Sequence, residues 1–124
     1  MKEILLVGLG GFLGAIGRYK LGGYILHQTA GWRYPISTFT INIVGCFLMG
    51  ILAGLAEKGR FGQELRMFVV PGLLGGFTTF SAFAYEGIFL IRAGHAQIAL
   101  AYMVASVSCG LAGVWFGMKL AGPS

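Results

Sequence analysis

Apolar residues fill four long runs, from about Ile4 to Leu26, Ile36 to Ala56, Met67 to Ile91 and Ile98 to Leu120. Short polar stretches separate them, from His27 to Pro35, Glu57 to Arg66 and Arg92 to Gln97. A helix rises about 1.5 Å per residue and a hydrocarbon core is roughly 30 Å thick, so each run is long enough to cross a bilayer. The pattern predicts an all-α integral membrane fold, a single membrane domain over residues 1–124 with four transmembrane helices. An even number of spans places both termini on one side. What lies between the runs is too short to hold a soluble domain.

Composition agrees. Of 124 residues, 56% are hydrophobic, and only nine Lys or Arg and four Asp or Glu are present. A soluble domain of this size carries about a quarter charged residues, too many more for this chain to cover a water-facing surface in the same way. Mean hydropathy is +0.80. Lys2 before an apolar run resembles the start of a signal peptide, but the run is too long for an h-region. It also contains Arg18 and Lys20, with no small-x-small cleavage site behind it, and reads as a first span.

The net charge of +5 does not point to nucleic acid, because the basic residues are scattered and lack aromatic interleaving. They bear on orientation instead. Lys2, Lys58, Arg60, Arg66 and Lys119 fall on the side of the termini, against Arg33, Arg92 and Lys20 on the other. This is a weak positive-inside bias, and it leads us to expect insertion in both orientations. Cys46 and Cys109 lie inside apolar spans without metal-type spacing and read as small buried hydrophobes. His27 and His95 stand alone near span ends and read as boundary residues.

Glycine is the commonest residue, 22 in all, and every span holds a pair four residues apart: Gly10 and Gly14, Gly50 and Gly54, Gly72 and Gly76, Gly113 and Gly117. Lipid provides no hydrophobic force between helices, so close backbone approach takes over, and such pairs make the flat faces it requires. The stretch Gly8 to Gly14 fails as a dinucleotide fingerprint, since Leu13 stands at the third glycine and no β-α-β context surrounds it. Four helices of this length make a thin bundle with little room for an axial pore. A conduit between subunits is the better expectation, and homo-oligomers are usually two-fold symmetric.

Polar groups inside spans are costly and are functional candidates for that reason. Arg18 lies in the first span and Asn42 in the second; the third carries Thr78, Thr79, Ser81 and Glu86; the fourth carries Tyr102, Ser106 and Ser108. Serine and threonine often bond back to their own helix, whereas Asn42 and Arg18 cannot be satisfied that way. For Glu86, near a span end, an interfacial ion pair competes evenly with a pathway role. The run Pro71-Gly72-Leu73-Leu74-Gly75-Gly76-Phe77-Thr78-Thr79 makes a poor continuous helix. A break there would free carbonyls able to take a cation; a plain kink is the equal alternative. Phe80 and Phe83 share a helix face. Such pairs are usually packing, yet aromatic edges are positive and, with Asn42 and hydroxyls beside them, suit a small anion. No carboxylate pair, metal-ligand set or Ser-His arrangement is present, so the chain offers no catalytic residues and is not expected to be an enzyme.

Three motifs in order resemble the Fluc/CrcB family of fluoride channels. They are Gly14-Ala15-Ile16-Gly17-Arg18-Tyr19, Thr38-Phe39-Thr40-Ile41-Asn42-Ile43-Val44-Gly45, and Gly75-Gly76-Phe77-Thr78-Thr79-Phe80-Ser81-Ala82-Phe83 followed by Glu86. The similarity covers essentially the whole chain. It implies a multi-pass protein of the bacterial inner membrane with a broken third helix, assembled as an antiparallel, dual-topology homodimer with two pores. Such a dimer exports fluoride that enters as hydrogen fluoride and relieves its toxicity. The resemblance assigns Phe80 and Phe83 to the ion path, Asn42 to a pore-lining donor and Arg18 to a vestibule cation. Tyr102 and Ser106 match a polar track, and Thr79, Ser81 and Glu86 accompany them. Backbone carbonyls of Gly75 and Thr78 would hold a structural sodium ion at the dimer interface. Ala82 departs from a threonine common between the two phenylalanines; Gly110 stands where some members have a serine, and Ser108 is an extra hydroxyl.

The nearest alternative is a proton-coupled small multidrug-type transporter. Such a protein needs a membrane-embedded carboxylate, whereas the first span here has Arg18 in its interior and only Glu3 at its entrance. A scaffold without transport would have no use for Arg18 and Asn42.

Overall fold

The computed structural model describes residues 1–122. Helix α1 runs Lys2–Gln28 and stops at Thr29, whose hydroxyl donates to the Ile25 carbonyl at 2.8 Å. Helix α2 runs Ile36–Glu57, with Pro35 at the position before it, where a residue without an N–H costs nothing. The third span, Gln63–Arg92, is assembled from pieces: α3 (Gln63–Met67), a π-helical stretch (Phe68–Leu74), α4 (Gly75–Phe77) and α5 (Phe80–Arg92). Helix α6 runs Ala96–Leu120. Gly94, with φ +88°, makes the tight turn between α5 and α6, a conformation that a residue with a Cβ rarely adopts.

All four spans are helices long and apolar enough to cross a membrane. The third begins at Gln63, before the apolar run at Met67, because Gln63, Glu64, Leu65 and Arg66 are good helix formers at the membrane edge. There the Lys2 ammonium meets the Glu64 carboxylate at 2.9 Å. Both side chains are largely exposed, at 71% and 65%, so the pair adds at most about 1 kcal/mol. Pro71 sits in the π-helical stretch. Its ring lacks an N–H and crowds the carbonyl four residues back, and a widened turn accommodates both defects.

Two tight helix pairs build the bundle. In the first, α1 packs on the π-helical stretch and α4, backbone against backbone. A Cβ on Gly10 would run into the Phe68 carbonyl, one on Gly14 into the Leu73 carbonyl, and one on Gly76 into the Gly11 carbonyl. In the second, α2 packs on α6, with Gly50 against the Val114 carbonyl and Gly117 against the Phe47 carbonyl. The small-residue pairs therefore act where the sequence places them, as flat faces for close approach. Few side chains are fully enclosed; Ile41, Leu74, Leu90, Ala99 and Tyr102 are the buried hydrophobic ones among the described residues. Large apolar side chains such as Leu9, Phe12, Leu111 and Trp115 point outward, as they do on a surface that meets lipid.

Candidate functional site

The third span is broken at Thr78 and Thr79, whose backbones are extended (φ −85°, ψ 156° and φ −147°, ψ 119°). Extended residues end the ladder of intrahelical bonds, and in a membrane every group so released needs a partner within the protein. Asn42 supplies two. Its Oδ1 accepts from the Thr79 N–H at 2.8 Å, and its Nδ2 donates to the Thr79 carbonyl at 2.9 Å. From the opposite side Arg18 Nε donates to the Gly76 carbonyl at 3.2 Å. Thr79 itself caps α5, its Oγ1 accepting from the Ala82 N–H at 3.3 Å and lying 3.3 Å from Ser81 Oγ. Among the described residues no hydrogen bond reaches the carbonyl oxygens of Gly75 or Thr78.

The break opens onto a groove of about 280 Å³ lined by α2, α5 and α6, where Asn42, Thr79, Phe80, Phe83 and Ser106 come together. Its lining is mostly apolar. The exception of interest is Ser106, whose Oγ is buried without a hydrogen-bond partner among the described residues, a costly state unless something in the groove meets it. Phe80 and Phe83 are 5.6 Å apart between centroids and tilted by 45°. Phe83 continues onto Tyr102 at 5.1 Å. Phe80 is 78% exposed whereas Tyr102 is wholly enclosed, so the aromatic file runs from the surface into the bundle.

At the inner end of that file the Tyr102 hydroxyl donates to Glu86 Oε1 at 3.0 Å, and Thr38 Oγ1 donates to Oε2 at 2.9 Å. Glu86 thus joins α2, α5 and α6 through two hydroxyls, and no ion pair forms there among the described residues. Beyond it lies a second cavity of about 370 Å³, lined by Arg33, Tyr34, Ser37, Glu86 and His95 among others. Tyr34, in the loop before α2, stacks edge-on against both Phe39 and Tyr102. Burial, and secondarily the neighbouring Cys109, raise its hydroxyl above the usual tyrosine range, so it stays neutral.

Of the residues singled out from the sequence, Asn42, Thr78, Thr79, Phe80, Phe83 and Ser106 line the groove directly. Tyr102 and Glu86 continue it inward, and Ser81 stands exposed beside Thr79. Arg18 is not among the groove residues and lies on the α1 side of the break. The two ends of the Thr38–Gly45 motif also take part, in roles the sequence does not assign them. Thr38 holds Glu86, and Gly45 admits Thr78 against α2, since a Cβ there would meet the Thr78 methyl. Both lie on the face of α2 that carries Asn42, at helical spacings of four and three residues, a periodicity that would have marked them.

The chain matches the family model described as CrcB-like protein, Camphor Resistance (CrcB), over residues 5–118. It is 46% identical to a fluoride-specific ion channel FluC from Methylobacillus flagellatus, covering 97% of this chain and 94% of the relative. It is 44% identical to a protein of the same description from Rhizobium meliloti, over 97% and 96% of the two chains. A third such relative, from Thermus thermophilus, is 40% identical over 98% and 97%.

Proposed function

The chain belongs to the CrcB family, and on that premise we propose that it is a fluoride-selective channel of a bacterial membrane, passively exporting fluoride and so relieving its toxicity. The observation that carries the reading is the groove at the break, which presents hydrogen-bond donors and aromatic edges without a formal charge. Fluoride is the smallest halide and holds its water tightly, so a pathway must return donors for those it removes. The Ser106 hydroxyl has no other partner among the described residues, one N–H of Asn42 Nδ2 is left over from its bond to Thr79, and the rings of Phe80 and Phe83 offer positive edges. Glu86 is tied by two hydroxyls and stands outside the residues that line the groove.

The working unit is an antiparallel homodimer inserted in both orientations. Its support is the 78% exposure of Phe80, the openness of the groove on one chain, and the weak charge bias. A second copy would cover Phe80 and complete two pathways. The carbonyls of Gly75 and Thr78 fit a hard monovalent cation such as sodium, which takes oxygen ligands and would find these two unbonded. Bound between two copies, sodium would hold the two breaks together.

Purified protein in liposomes tests this, with efflux followed by a fluoride electrode and repeated with chloride. Rapid fluoride release with negligible chloride release is expected; no fluoride release from well-folded protein would remove the channel reading. For the ion, exchanging sodium for N-methylglucamine should shift the protein toward monomer in size-exclusion chromatography with light scattering. An unchanged dimer would exclude a structural sodium.

A further inference from the structure

We infer that Gly45 is a positioning residue for ion passage: with Asn42 it forms a seat on α2 that fixes Thr78 and Thr79, and thereby the Phe80–Phe83 pair. The seat has two parts on one face of the helix. Asn42 holds Thr79 by its N–H and its carbonyl at 2.8 and 2.9 Å. One turn on, Gly45 is buried, and the space its missing Cβ would take is filled by the Thr78 methyl Cγ2. Consecutive residues of the break are therefore docked on consecutive parts of α2, one by hydrogen bonds and one by shape.

Helix α5 starts at Phe80, immediately after the docked pair, with Thr79 as its cap. Whatever displaces Thr78 from α2 moves the first turn of α5 with it. Phe80 and Phe83 lie on that turn and on the next, so their rings shift relative to Ser106 on α6. Gly45 has no donor and no ring to offer an ion; its influence runs through the break. The seat also separates two uses of the broken backbone. The Thr79 amide and carbonyl are consumed by Asn42, while the Thr78 carbonyl next to them stays unbonded.

This inference rests on the channel reading above, and a size-compensation experiment tests it. Gly45→Ala adds the methyl that collides with Thr78 Cγ2, and Thr78→Ser removes that same Cγ2 while keeping the hydroxyl that donates to the Leu74 carbonyl at 3.1 Å. In liposomes, Gly45→Ala should assemble normally yet pass fluoride at least about tenfold more slowly, since small misplacements of contacting groups are costly. The double variant should return most of the flux. Wild-type flux from Gly45→Ala, or no recovery in the double variant, would overturn the proposal. Should Gly45→Ala fail to assemble, the double variant decides alone: an assembled, conducting protein supports the seat and a misassembled one rejects it. Absence of flux from the wild type would instead remove the channel reading itself.

Discussion

Asn42 and Arg18 each place a strongly polar group in an apolar span, and each is answered by backbone that the break has released. Replacing Asn42 by Asp sets an anionic oxygen against the Thr79 carbonyl and puts a negative charge beside the groove. Fluoride efflux from liposomes should fall sharply, and faster passage would count against Asn42 bordering the path. Phe80→Leu with Phe83→Leu removes the aromatic edges and keeps apolar bulk. Flux should slow or stop while size-exclusion chromatography still reports the assembled protein; undiminished flux would dismiss the rings. These residues were legible in the sequence as polar or aromatic oddities in lipid. Their partners were not. Asn42 meets a backbone 37 positions away, and Glu86 meets hydroxyls of two other spans, matches that depend on how neighbouring helices slide past one another.

Among the elements, the third span was the one whose composition announced trouble and left its form open. Pro71 and the glycine pair fit either a kink or a break, because propensity measures the cost of continuing a helix and not what replaces it. The extended torsions of Thr78 and Thr79 are possible here because Asn42 and Arg18 receive the released groups. The glycine pairs were readable as packing faces, but not which face met which. A matched substitution follows from the observed pairing. A Cβ on Gly10 would strike the Phe68 carbonyl, which is backbone and cannot rotate away, whereas one on Gly8 would meet nothing within 4 Å. Gly10→Ala should destabilise by about 1–3 kcal/mol or more. Gly8→Ala should be neutral or slightly stabilising, with thermal melting of the detergent-solubilised protein comparing the two.

On the scale of the whole molecule, the chain is a multi-pass membrane protein whose two tight helix pairs enclose little and leave a groove open on one flank. The number of spans followed from hydropathy alone, since bilayer thickness sets a length that few other structures need. The groove did not follow, because it lies at the extended pair Thr78 and Thr79 that interrupts the third span. That break also alters the electrostatics beside the groove. Aligned peptide dipoles give a helix roughly half a positive charge at its start and half a negative charge at its end. A continuous third helix would carry those poles at the two membrane surfaces. With the break, the positive pole of α5 sits part way along the span at Phe80, beside the groove, and the helical stretch from α3 through α4 ends its negative pole at Thr78. The groove therefore faces a fractional positive charge that does not depend on any titrating side chain.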